Sequence, residues 1–116
     1  MTPAQPLLDR ELALGRVGGD LELLKEIAVL FLETYPESLE ELQTAALQND
    51  AKALERSAHG LKGSVANFGA APAVEAARCL EQMGRSSRLE SESVTAALQS
   101  LEDALASLRP ELEALS

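Results

Sequence analysis

The chain has 116 residues, of which 46% are hydrophobic and 3% aromatic, and this length suits one domain with one core. Its net charge of −9 argues against nucleic acid or an anionic membrane surface as the main partner, because both require a basic protein surface. The single cysteine excludes an internal disulfide, and no apolar run approaches the ~20 residues of a membrane span, so we expect a cytoplasmic protein. Strong helix formers dominate the sequence and predict an all-α fold.

Capping residues and hydrophobic periodicity predict a flexible lead-in over residues 1–8 and one helical domain over residues 9–116. Asp9 and Asp20 are the predicted N-caps of the first two helices. The predicted helices, with approximate bounds, are residues 10–16, 21–48, 51–68, 71–83 and 92–115. The last four each carry one apolar stripe and are joined by short turns, so we expect an antiparallel four-helix bundle with a short extra N-terminal helix.

Prolines and glycines mark the predicted interruptions of these helices. Pro36 and Pro110 lack an amide donor and crowd the preceding helical turn, so we expect a kink or a break at each. Gly69 is predicted to end the third helix in a left-handed conformation. Residues 84–87 are predicted to form a loop.

His59 is the only histidine, and a lone histidine is usually a surface residue or a hydrogen-bonded core residue. On a helix with about 100° per residue, His59 lies roughly 140° from the apolar stripe that contains Leu54 and Leu61, so we expect it to project into solvent. Gly63 lies at about 180° on the same outer face, where a glycine costs about 1 kcal/mol relative to alanine. We interpret Gly63 as clearing space for a partner's backbone or a phosphoryl group. Chance and close helix packing are the alternatives, and the angle argues against packing.

Basic residues gather near this histidine. Lys52, Arg56 and Lys62 share its predicted face, and only Glu55 opposes them there. Their cations would stabilise a phosphoryl group, although an ordinary solvated face explains them equally well. The sequence shows no residue set for a hydrolase, too few ligands for a metal site and no phosphate-binding glycine loop. The chemistry that is left is an exposed imidazole that accepts and passes on a phosphoryl group, with the metal and the carboxylate supplied by another protein.

The segment AHGLKGSVANFGA, residues 58–70, resembles the signature of histidine-containing phosphotransfer (HPt) domains. The matching residues are His59, Leu61, Lys62, Gly63, Ser64, Gly69 and Ala70. The resemblance extends over residues 9–108. It implies a helical phosphorelay module of bacterial two-component signalling and not a self-contained enzyme.

The resemblance also implies roles for individual residues. These roles are phosphorylation of His59, charge balance by Lys62, space for the partner at Gly63 and a hydrogen bond within the helix from Ser64. A further group, on the next helix, would orient the imidazole. Glu81 and Gln82 are both candidates for it, and the sequence leaves the two open.

The partner that the resemblance implies is the receiver domain of a response regulator or of a hybrid histidine kinase. Such a domain brings an aspartate and Mg²⁺, so the chain itself, expected to be a monomer, needs no cofactor or metal. The residues expected at the docking surface are Lys52, Arg56, Ala66, Asn67, Arg78 and Arg85.

Two alternative functions stay open. One is a helical adaptor that binds a receiver or other signalling partner without phosphotransfer. The other is the phosphorylated domain of a chemotaxis-like kinase, which would need attached dimerisation and ATP-binding domains.

Overall fold

The computed structural model describes residues 8–115, and within that range the chain forms five α-helices and no β-strand. The helices are α1 (Arg10–Arg16), α2 (Leu21–Leu47), α3 (Ala51–Ala66), α4 (Ala71–Ser86) and α5 (Ser91–Glu113). The four long helices pack in a ring in the order α2, α3, α4 and α5, and α1 lies against α2. The predicted all-α bundle with a short extra N-terminal helix is therefore confirmed. None of the helices in this range is both long enough and apolar enough to cross a membrane.

Aspartates begin the first three helices. The carboxylates of Asp9, Asp20 and Asp50 each accept a hydrogen bond of 3.1 Å from the backbone amide three residues later. These bonds satisfy amides that have no partner within the first helical turn, which is why each helix starts where it does. Both caps predicted from the sequence are confirmed, and Gly69 has the predicted left-handed conformation, with φ of 62°.

The core is built from leucines and alanines, with few aromatic side chains. Leu54 and Leu80 are fully buried, as are the alanines Ala58 on α3 and Ala77 on α4. Such small side chains let two helices lie close together. The backbones of α3 and α4 come so close at Gly84 that a Cβ atom there would overlap main-chain atoms of α3.

Of the kink or break expected at each of the two prolines, the structure excludes the break. Pro36 lies inside α2 and Pro110 inside α5, and both helices continue past them. A proline inside a helix costs about 3 kcal/mol, but the apolar residues on both sides of each proline are buried in the same core. In α2 these include Phe31 before the proline and Leu42 after it. Tertiary packing therefore outweighs the local preference.

Two further boundaries differ from the prediction. Residues 84–86 belong to α4 and not to a loop, and α3 ends at Ala66, two residues early. Helix α4 continues because Gly84 is buried in the bundle, where contact with another helix holds it. Of the predicted lead-in, residues 1–7 lie outside the described part of the chain. The amide of Leu8 donates to Oε1 of Glu111 at 3.0 Å.

Candidate functional site

His59 lies in the middle of α3 and points away from the core. The stripe that α3 buries includes Ala58 and Leu61, the residues on either side of the pair His59–Gly60. The side chain of His59 is 69% exposed. Its predicted outward position is therefore confirmed, and a partner can reach the imidazole without any opening of the bundle.

Glu81 on α4 is the only buried charged side chain among the described residues, with 3% of the residue exposed. Its Oε2 lies 2.5 Å from Nδ1 of His59, and its Oε1 accepts a hydrogen bond of 2.6 Å from Nζ of Lys62. Nη2 of Arg85 lies 3.6 Å from the same Oε2. Gln82 is exposed, because one step along a helix turns a side chain by about 100°. The structure thus brings Glu81, and not Gln82, to the imidazole.

The carboxyl group of Glu81 is ionised at neutral pH. The hydrogen bond from Lys62 lowers its pKa most; burial, the next largest effect, raises the pKa, and the bond to His59 lowers it again. An ionised carboxylate can only accept hydrogen bonds. Nδ1 of His59 must therefore be the donor, and in a neutral imidazole the lone pair then lies on Nε2, at the other side of the ring.

Arg85 joins the two helices beside this carboxylate. Its Nε donates to Oε2 of Glu55 on α3 at 3.0 Å, and this bond raises the pKa of Arg85 above its ordinary value. The residues Lys52, Glu55, Arg56, His59, Glu81 and Arg85 line one shallow groove. Lys52 and Arg56 are exposed, and within residues 8–115 their side chains form no ion pair or hydrogen bond. Three of the predicted docking residues therefore do lie beside the imidazole.

The surface beyond His59 is open. Gly63 is exposed, and a Cβ atom added to it would meet nothing within 4 Å. Gly63 therefore does not serve close helix packing, as its angle predicted. Ser64 donates from Oγ to the carbonyl of Gly60 at 3.2 Å, which is the predicted bond within the helix.

The other predicted docking residues lie elsewhere. Ala66 ends α3 and Asn67 follows it, while Arg78 pairs with Glu75 on α4 at 3.1 Å. None of the three lines the groove at His59. Sequence reasoning missed Gly84, which it placed in a loop. Its spacing of seven from the buried Ala77 could have shown that it shares the inner face of α4.

Comparison with known proteins identifies a protein family and a solved structure of similar fold. A family model described as Hpt domain matches residues 26–115. The crystal structure of histidine-containing phosphotransfer protein B from Pseudomonas aeruginosa PAO1 is similar in fold, with a TM-score of 0.84 and 24% sequence identity. The match covers 95% of this chain and 94% of that one. No curated protein sequence matches significantly.

Proposed function

The chain belongs to the Hpt domain family and is a histidine phosphotransfer module of a phosphorelay, and from this premise we propose that His59 accepts and donates the phosphoryl group. The observation that carries the proposal is the contact between Nδ1 and the buried carboxylate of Glu81. This contact leaves the lone pair on Nε2 of an imidazole that is 69% exposed. His59 is also the only histidine in the sequence.

In the proposed reaction, Nε2 of His59 attacks the phosphorus of an aspartyl phosphate. The N–P bond forms, the bond between phosphorus and the aspartate oxygen breaks, and the aspartate leaves as a carboxylate. The proton on Nδ1 stays in place, so the imidazole ring becomes positively charged as the N–P bond forms. The carboxylate of Glu81 stabilises that charge from 2.5 Å, much as an aspartate stabilises the imidazolium in hydrolase triads. The same steps in reverse return the phosphoryl group to an aspartate.

Cations around the groove support this chemistry. Lys52, Arg56 and Arg85 line the groove that contains His59, and their charges oppose the negative charge of the phosphoryl oxygens. Nζ of Lys62 donates a hydrogen bond to Oε1 of Glu81. We propose that Lys62 acts both on that carboxylate, by keeping it ionised, and on the phosphoryl group by its positive charge.

Hpt domains act with receiver domains, and we propose that the partner is the receiver of a response regulator or of a hybrid histidine kinase. That partner would supply the aspartate and the Mg²⁺, so that the chain itself would bind no cofactor and would carry the phosphoryl group without being a self-contained enzyme. The open surface at Gly63 gives a receiver's backbone room to approach. We propose further that the protein acts as a monomer in the cytoplasm.

The test is transfer of label from a receiver phosphorylated on its aspartate, with and without Mg²⁺. The wild-type chain should acquire a phosphoryl group that is labile in acid and stable in alkali, as expected for an N–P bond. His59→Gln should acquire none, while its circular dichroism stays that of a helical bundle. Label that persists in His59→Gln, or a wild-type chain that takes no label from any receiver tested, would contradict the proposal. Binding of receivers without any label would instead support the adaptor.

A further inference from the structure

Gly84 lies where the backbone of α4 rests against the backbone of α3. A Cβ atom added at Gly84 would lie 2.6 Å from the carbonyl oxygen of Ala51, 2.6 Å from the nitrogen of Glu55 and 2.9 Å from its Cα. These are main-chain atoms, so no side-chain rotation can relieve the overlap. The two helices can therefore keep this separation only if residue 84 has no side chain.

This contact is one helical turn away from the pair His59–Glu81. Glu55 precedes His59 by four residues on α3, and Gly84 follows Glu81 by three residues on α4. Because the two helices are antiparallel, Gly84 faces Glu55 where Glu81 faces His59. The carboxylate of Glu81 reaches Nδ1 of His59 at 2.5 Å and Nζ of Lys62 at 2.6 Å. Both distances depend on how closely α4 lies against α3.

We propose that Gly84 is a positioning residue for phosphotransfer: by letting α4 rest on the backbone of α3, it holds the Glu81 carboxylate on Nδ1 of His59 and keeps Nε2 free of a proton. This inference rests on the proposed function of His59. A methyl group at position 84 needs contacts of about 3.5 Å, so the helices would have to separate by about 1 Å. A displacement of that size can slow a positioned reaction about 100-fold.

The experiment compares Gly84→Ala with Gly15→Ala, a matched control. Gly15 also lies in a helix, but a Cβ atom added there meets nothing within 4 Å. Nitrogen-15 NMR of the imidazole reports which ring nitrogen carries the proton, and a phosphorylated receiver reports the transfer rate. We expect the proton on Nδ1 in the wild type and in Gly15→Ala. In Gly84→Ala the proton should be shared between Nδ1 and Nε2, and transfer should slow by about 10- to 100-fold.

A second pair of variants separates positioning from general damage. In a Glu81→Ala background there is no carboxylate to position, so adding Gly84→Ala should change neither the ring spectrum nor the transfer rate further. If Gly84→Ala unfolds, sucrose favours its compact state without changing the chain, and the ring spectrum is then recorded in sucrose. The proposal is overturned if the ring spectrum of Gly84→Ala matches the wild type, or if the substitution slows transfer equally in both backgrounds. The ring spectrum needs no phosphorylation, so this result is distinct from a wild-type chain that takes no label.

Discussion

Replacing Glu81 with glutamine tests the physical core of the site. The substitution keeps the size of the side chain and removes its charge. In the wild type the two carboxylate oxygens serve two different groups, with Oε2 at Nδ1 of His59 and Oε1 at Nζ of Lys62. A glutamine has one oxygen and one NH₂ group. One of these two groups must therefore lose its carboxylate oxygen and face an NH₂ group instead.

The loss of stability expected for Glu81→Gln follows from the burial and the charge of the groups involved. A hydrogen bond to a charged group contributes about 1.5–3 kcal/mol, and a donor left without an acceptor costs a similar amount. The side chain of Glu81 is 5% exposed, whereas that of Lys62 is 26% exposed and can still reach water. We therefore expect Glu81→Gln to lower the free energy of unfolding by about 2 kcal/mol, which corresponds to a fall in Tm of about 8 °C for a domain of this size.

The loss of stability caused by Glu81→Gln should become smaller in acid. The pKa of Glu81 in the folded chain lies below its ordinary value of 4.5, first because of the hydrogen bond from Lys62. A carboxyl group whose pKa is lowered by folding stabilises the folded state above its unfolded pKa, and this contribution disappears as the pH falls through the folded pKa. The difference in the free energy of unfolding between wild type and Glu81→Gln should thus shrink as the pH falls below 4.5. The chain has a net charge of −9, and its other acidic residues also titrate in this range. Because these residues are the same in both variants, their effect cancels when the two free energies of unfolding are subtracted.

Urea unfolding followed by circular dichroism at a series of pH values measures this difference. Glu75→Gln is the matched control, because Glu75 lies on the same helix and pairs with Arg78 on the exposed surface. Such a pair contributes little, so the control should lose less than about 0.5 kcal/mol. A Glu81→Gln chain as stable as this control at neutral pH would refute the reasoning. A difference in the free energy of unfolding between wild type and Glu81→Gln that does not shrink below pH 4.5 would refute it too.

Two other predictions concern the surface around the imidazole. Gly63→Gln should fold with equal or greater stability, because glutamine is the better helix former, but should slow transfer from a receiver at least about 10-fold by occupying the approach path. The control Gly15→Gln should leave the rate unchanged, and an unchanged rate in Gly63→Gln would show that the open surface is not used. Lys52→Ala combined with Arg56→Ala should slow association with the receiver and weaken its salt dependence, while the final level of label stays the same. Stopped-flow measurements at low and high salt check this, and an equal salt dependence before and after the change would contradict it.

The sequence predicted the local features of the site well. The positions of Asp9, Asp20 and Gly69 indicated helix ends because capping and left-handed conformations depend on a few neighbouring residues. The outward position of His59 followed from helical periodicity, which is also a local property. The same local reasoning allowed a break at Pro36, which does not occur because the buried residues on both sides hold the helix together.

The sequence by itself determined the helical composition of the bundle, the exposure of His59 and the phosphotransfer motif around it. Only the tertiary structure decided that Glu81, and not Gln82, reaches the imidazole, and that Gly84 lies against the backbone of α3. The reason is physical. Periodicity gives the face of a helix on which a residue lies, but the register and separation of two helices depend on which side chains meet between them. In our proposal the contact of Gly84 with α3 sets the separation of the helices that carry His59 and Glu81.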